Sequence, residues 1–172
     1  MRTRFEYDDG GRAAAGFRGD AGDCVARAIA IAAELPYADV YARLAAETGA
    51  QRAGKRGKKP ASARNGISTS RKWFKDYMAE IGLTWTPTMA VGQGCQVHLR
   101  ADELPPGRLI VAVSKHYTAV VDGVIHDLAD CSREGTRCVY GYWMKLDRKP
   151  GMDGSCRSSG KLDNAPLPQA RD

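Results

Sequence analysis

The chain has 172 residues, of which 43% are apolar, and this length and content fit one domain with a single core of ordinary size. No run approaches a membrane span, and Met1-Arg-Thr-Arg-Phe-Glu-Tyr-Asp-Asp lacks the apolar stretch of a secretory signal, so a reducing cytoplasm is the expected compartment. The net charge of +6 sits in one segment, because Arg52, Lys55, Arg56, Lys58, Lys59 and Arg64 lie between Gln51 and Gly66 with no acid among them.

From Cys24 to Glu34 the residues Val25, Ala28, Ile29, Ala32 and Leu35 recur at helical spacing, with Asp20 and Asp23 placed to favour the helix start. Pro36 interrupts this helix. Tyr37 to Glu47 opens a second, whose Val40, Tyr41 and Leu44 form one apolar stripe closed by Gly49, so the two make a helical hairpin. The basic segment 51–66 then reads first as a solvated, flexible loop. Its second reading is a contact for an acidic partner, phosphate or nucleic acid, although the interleaved glycines and alanines offer no aromatic stacking platform. A third helix is expected over about 68–81, capped by Ser68, Thr69 and Ser70, with Trp73, Tyr77 and Ile81 repeating at four and Gly82 at its end.

After Gly82 the period becomes extended. Strands are expected at Leu83–Thr88, Gln96–Leu99, Arg108–Val113, His116–Val121, Val124–Leu128 and Arg137–Trp143, separated by turn residues such as Gly92-Gln-Gly, Pro105-Pro-Gly and Asp122-Gly123. Helices first and an antiparallel sheet second make the class α+β, with the N-terminal helices packed on the C-terminal sheet. One domain over 1–147 is followed by a tail over 148–172, where Pro150, Pro166 and Pro168 and the absence of an apolar period predict disorder. The aromatic residues Trp73, Tyr77, Trp85, Tyr140, Tyr142 and Trp143 read as core and cleft wall.

Five cysteines (Cys24, Cys95, Cys131, Cys138, Cys156) are odd in number and irregularly spaced, which makes a poor disulfide framework and predicts free thiols. Cys24 is the one with chemistry around it. Unpaired N–H dipoles at a helix start stabilise a thiolate, and an adjacent imidazolium lowers the thiol pKa further, from about 8.5 to below neutral. Asp122-Gly123 is a two-residue hairpin turn that needs positive φ at both positions, and with it at the tip Val121 faces Val124, Val120 faces Ile125, Ala119 faces His126 and Thr118 faces Asp127. Alternation then puts His116, Thr118 and Asp127 on one face and His126 on the other. At the roughly 7 to 8 Å of diagonal neighbours, Asp127 can hydrogen-bond His116 and fix its tautomer, leaving the second ring nitrogen for Cys24. A three-residue turn would exchange the two histidines.

Asp-Cys at the head of the first helix, a histidine opening a later strand and an aspartate on the next resemble the papain-like cysteine peptidases, most closely the bacteriocin-processing C39-like branch. The resemblance covers roughly 22–40 and 112–127. The stretches Gly22-Asp-Cys-Val-Ala-Arg-Ala-Ile-Ala-Ile-Ala, Gly94-Cys-Gln-Val-His-Leu and Arg108-Leu-Ile-Val-Ala-Val-Ser-Lys-His are also similar to small proteins of tailed phages and prophages. The papain-like resemblance implies a papain-like fold and an upstream glutamine that donates to the oxyanion. No glutamine precedes Cys24 here; Arg18 stands six residues upstream, and its guanidinium and the Cys24 backbone N–H are the candidate oxyanion donors.

The expectation is a cysteine-dependent hydrolase or acyltransferase acting on a peptide, isopeptide or other amide bond of a protein or peptide substrate. Cys24 attacks, His116 moves the proton, Asp127 orients His116, and neither a metal nor an organic cofactor is required. A catalytically inactive papain-like binding protein of phage origin, directed at a host target, is the alternative, with a basic nucleic-acid-binding accessory protein third. The compartment is the cytoplasm, that of the host if the protein is phage-encoded. A competing zinc set would join Cys95 and His98 to Cys131 and Cys138, although neither cysteine pair has the close spacing of a zinc knuckle.

Overall fold

The computed structural model describes residues 4–19, 22–49 and 63–145. The basic residues Arg52, Lys55, Arg56, Lys58 and Lys59, Cys156 and the expected C-terminal tail lie outside them. Arg64 is described and is exposed, in a short 3-10 turn.

Among the described residues three α-helices, α1 (Cys24–Ala33), α2 (Tyr37–Gly49) and α3 (Lys72–Glu80), pack on a six-stranded sheet. Its strands are β1 (Arg4–Tyr7), β2 (Leu83–Pro87), β3 (Arg108–Val113), β4 (His116–Val121), β5 (Val124–Asp127) and β6 (Val139–Lys145), in the spatial order β1-β5-β4-β3-β6-β2. The α+β class is as expected, but the sheet is mixed rather than antiparallel. β1, which the sequence reading left unassigned, runs parallel to β5 and pairs Tyr7 with Asp127. All four of its residues are exposed, so it has no apolar signature; backbone pairing at the sheet edge alone makes it a strand.

α1 is alanine- and isoleucine-rich and buried all round from Val25 to Ala33, so it is a core helix rather than an amphipathic one. It ends at Glu34, whose left-handed backbone (φ 57°) turns the chain so that the Leu35 N–H also donates to the Ala30 carbonyl, and Pro36 bars continuation. α2 buries Tyr37, Val40, Leu44 and Thr48. In α3 the deepest residues are Phe74 and Met78 with Tyr77, while Trp73 and Ile81 are half-buried, so the apolar stripe is rotated by one position from the expected one. The start of α3 does not use the expected side-chain cap, because Ser68–Ser70 form a turn before the Arg71 cap; at the start of α1 Asp23 makes no side-chain cap bond and points inward.

The sheet is covered on both faces. Ile110, Ala119 and Trp143 pack with the helices, and Leu109, Val111, Val113, Val120, Ile125 and Val139 form a second cluster with Leu99 and Leu104 from the β2–β3 connection. Burying each large apolar side chain contributes about 1.5–3 kcal/mol. The expected strand at Gln96–Leu99 reduces to a single bridge, His98 with Cys138.

Beside that bridge Cys95 and Cys138 form a disulfide, which corrects the expectation of free thiols. The spacing gave no sign of it because the pairing depends on the β2–β3 connection folding back over the sheet. It also removes two of the four candidate zinc ligands, and His98 pairs with Glu103 instead. Cys24 and Cys131 remain free.

Candidate active site

The β4–β5 hairpin has the expected register: Val121 pairs with Val124, Val120 with Ile125 and Ala119 with His126. Asp122 (φ 48°) and Gly123 (φ 78°) both take the left-handed backbone that a two-residue turn of this hand requires. The consequence is the expected parity. His116 Nε2 lies 2.6 Å from Asp127 Oδ2, whereas His126 turns away to Asp8 at 3.3 Å.

Asp127, at the end of β5, is 4% exposed and fully engaged. Its Oδ1 accepts from the Leu128 N–H at 2.8 Å and from Arg27 Nη2 at 3.2 Å. Burial pushes its carboxyl up, but the His116 hydrogen bond and charge and the Leu128 N–H outweigh this and hold it below the ordinary carboxylate value. The arrangement leaves His116 Nδ1 as the ring nitrogen for a second partner.

Cys24 opens α1 and shares a cleft of about 440 Å3 with His116, Ile67, Thr69, Trp85 and Tyr140. Trp85 holds its wall against Gly141, where any Cβ would fall 2.3 Å from the indole ring, so only glycine fits on β6. Burial raises the Cys24 thiol, yet hydrogen bonds with His116 and the Tyr117 backbone, and the His116 and Arg27 charges, bring it below its ordinary value. Burial likewise disfavours the imidazolium, but hydrogen bonds to Asp127, Cys131 and Cys24 and the Asp127 charge push His116 up to about 11. The two shifts run in the same sense, each favouring the thiolate–imidazolium form of the pair over the neutral one.

Asp23 does something the sequence did not foretell. It is 3% exposed and holds Arg12 Nε at 2.9 Å, with the Arg27 guanidinium and the Tyr37 hydroxyl also hydrogen-bonded to it. Burial pushes its carboxyl up, and Tyr37, Arg12 and Arg27 more than reverse that. Arg12 also donates to the carbonyls of Phe17 and Gly19, bracing the segment that leads into α1. A continuous line of charge thus runs from Arg12 through Asp23, Arg27 and Asp127 to His116. A lone arginine inside the apolar run Val25–Ala33 was the available signal, since a buried guanidinium demands carboxylate partners.

Arg18 is exposed and is not among the residues lining the Cys24 cleft; its backbone carbonyl, 3.5 Å from Arg12 Nη2, is what it contributes to this network. Cys131, considered from sequence only as a zinc ligand, brings its Sγ within 4.8 Å of ligand atoms of His116 and Asp127. This is the one set of three among the described residues with metal-like spacing. Both Asp127 oxygens are already hydrogen-bonded, one to a guanidinium, which opposes a cation there.

No family model, curated protein or solved structure matches the chain. Among the described residues no helix is long and apolar enough to cross a membrane.

Proposed function

We propose that this protein is a papain-like, cysteine-dependent hydrolase or acyltransferase acting on a peptide, isopeptide or other amide bond. The observation that carries the reading is the 2.6 Å bond between His116 Nε2 and the buried Asp127, with Cys24 and its lowered thiol on the same cleft as His116. The Cys24 thiolate attacks the carbonyl carbon, forming a C–S bond and an oxyanion. His116 gives its proton to the leaving amine as the C–N bond breaks, and a thioester remains. Water, or an acceptor amine, then attacks the thioester as His116 takes its proton, and the thiolate leaves. Asp127 keeps the ring oriented and its charge compensated throughout.

The Cys24 N–H at the first turn of α1 serves the oxyanion in this reading, and Arg18 is the weaker donor because it lies in solvent outside the Cys24 cleft. The substrate is a protein or peptide, and the compartment is the cytoplasm, that of the host if the protein is phage-encoded.

Iodoacetamide labelling followed by peptide mass spectrometry tests the reading. Cys24 should be alkylated at pH 6 at least ten-fold faster than glutathione, with His116→Ala and Asp127→Asn each slowing it about ten-fold or more, since one pKa unit of lost thiolate stabilisation is a factor of ten. A Cys24 that reacts like an ordinary thiol, or is indifferent to His116→Ala, overturns it.

A further inference from the structure

His116 separates two clefts. The second, about 620 Å3, lies on its Asp127 side, is lined by Lys115, His116, Asp130, Cys131, Arg133 and Arg137 among others, and does not include Cys24. Its charge is lopsided. The carboxylate of Asp127 is engaged by His116 and Arg27, and Asp130, with Oδ1 on the Ser132 N–H, is the one other acid in the lining, whereas the side chains of Lys115 and Arg133 are exposed and have no hydrogen-bond or ion-pair partner among the described residues.

Arg137 is the brace of this cleft rather than its free charge. Its Nη1 donates to the Cys131 carbonyl at 3.1 Å and its Nη2 to the Ser114 carbonyl at 2.6 Å, so it ties the turn before β4 to the loop after β5. The two free cations therefore stand on connected supports. Both also sit on left-handed backbone, Lys115 at φ 57° and Arg133 at φ 53°, positions that glycine or asparagine would occupy with less strain. The chain keeps long cationic side chains there at a conformational cost.

Resting on the hydrolase reading above, we propose that this cleft binds the leaving-group side of the substrate and that this portion carries an anion, a carboxylate or a phosphate. The chemistry assigns the side. The proton for the departing amine is on His116 Nδ1, so the amine leaves Cys24 on the His116 side of the first cleft, and the chain beyond the scissile bond runs past the ring toward the second, which shares Lys115 and His116 with the first and adds Arg133. An anion there meets a net positive lining, since Lys115, Arg133 and Arg137 stand against the Asp130 carboxylate once Asp127 is paired, and a cleft lined by one sign of charge attracts the other. An amine-side peptide bearing an acidic side chain or a free C-terminal carboxylate fits the cleft, as does a phosphorylated one.

The test uses the full chain and small probes. Glutarate, inorganic phosphate and the neutral analogue glutaramide are titrated at low ionic strength while backbone amide shifts are followed by NMR. Saturable shifts at Lys115, His116 and Arg133 are expected with one or both anions and none with glutaramide. The tighter of the two anions distinguishes a carboxylate from a phosphate site. The Lys115→Gln/Arg133→Gln double variant should weaken the binding at least ten-fold, and because both side chains are exposed its melting temperature should stay close to that of the parent. No saturable shift, equal shifts with glutaramide, or undiminished binding by the folded double variant overturns the proposal. None of these readouts uses Cys24 reactivity, so an inert thiol would sink the hydrolase reading separately.

Discussion

Arg27 Nη2 lies 3.2 Å from Asp127 Oδ1 while the same guanidinium is bonded to Asp23, so one cation from the core helix joins the start of α1 to the end of β5. It compensates two buried carboxylates at once. Arg27→Met takes one partner from each, leaving Asp23 with Arg12 and Tyr37 and Asp127 with His116, so the loss should fall below about 3–5 kcal/mol, the cost of a buried charge left without any partner. Arg27→Lys restores the charge without the planar fork and should fall between the two. Urea unfolding at pH 7 measures both losses; a Met variant within 1 kcal/mol of the parent, on the order of an exposed ion pair, would show that the bridge contributes little.

Stability should depend on pH from both ends. His116 is held up to about 11 in the folded chain, against about 6.5 when unfolded, so the native state keeps a proton that the unfolded chain releases between these values. Its contribution is complete below about 6.5 and is lost as pH rises toward about 11. Asp23 and Asp127 are shifted the other way, so theirs is present above the ordinary carboxylate range and is lost as pH falls through their lowered values. Thermal melts of the parent and of His116→Gln between pH 6 and 10 check the first part: the gap between the two should close as pH rises.

Gly123→Ala is expected to destabilise the β4–β5 hairpin by about 1–3 kcal/mol. The position has φ 78°, and an added Cβ would meet Ala101 Cβ at 2.9 Å. Because that turn sets which residues face His116, the variant should also slow Cys24 alkylation while the helices retain their far-ultraviolet signal. Unchanged melting and labelling would separate the turn from the site.

How much of this was visible beforehand differs from residue to residue. The pairing of His116 with Asp127 was legible because Asp122-Gly123 is a local turn signal and the strand period of two carries parity outward from it. β1 was not, since Arg4-Phe-Glu-Tyr is exposed and becomes a strand only by meeting β5 from the far end of the chain. Asp23 shows the commonest limit. As an acid before a helix it reads as a favourable charge at the helix start, and only the arrival of Arg12, Arg27 and Tyr37 makes an inward rotamer favourable. The Arg12 and Arg27 roles were hidden for the same reason: sequence shows a charge, and its partners are chosen by tertiary packing.

Reducing the Cys95–Cys138 bridge should lower stability by about 2–4 kcal/mol, as expected for a cross-link that closes a loop of this kind. Its sequence separation is 43 residues. Melting with and without dithiothreitol measures it, and a Cys95→Ser/Cys138→Ser variant should lose the response. Thiol counting on protein isolated under alkylating conditions from a reducing cytoplasm would find both sulfurs free if that compartment keeps the bridge open.

The parallel pairing of β1 with β5 and the meeting of Cys24 with His116 both join early chain to late chain. During synthesis the thiol emerges long before the imidazole that lowers its pKa, and a ribosome-bound fragment ending ahead of His116 carries a cysteine of ordinary acidity. Completion of the last strands is thus the event that brings the imidazole to the sulfur. A truncated or stalled product therefore lacks the Cys24–His116 pair altogether.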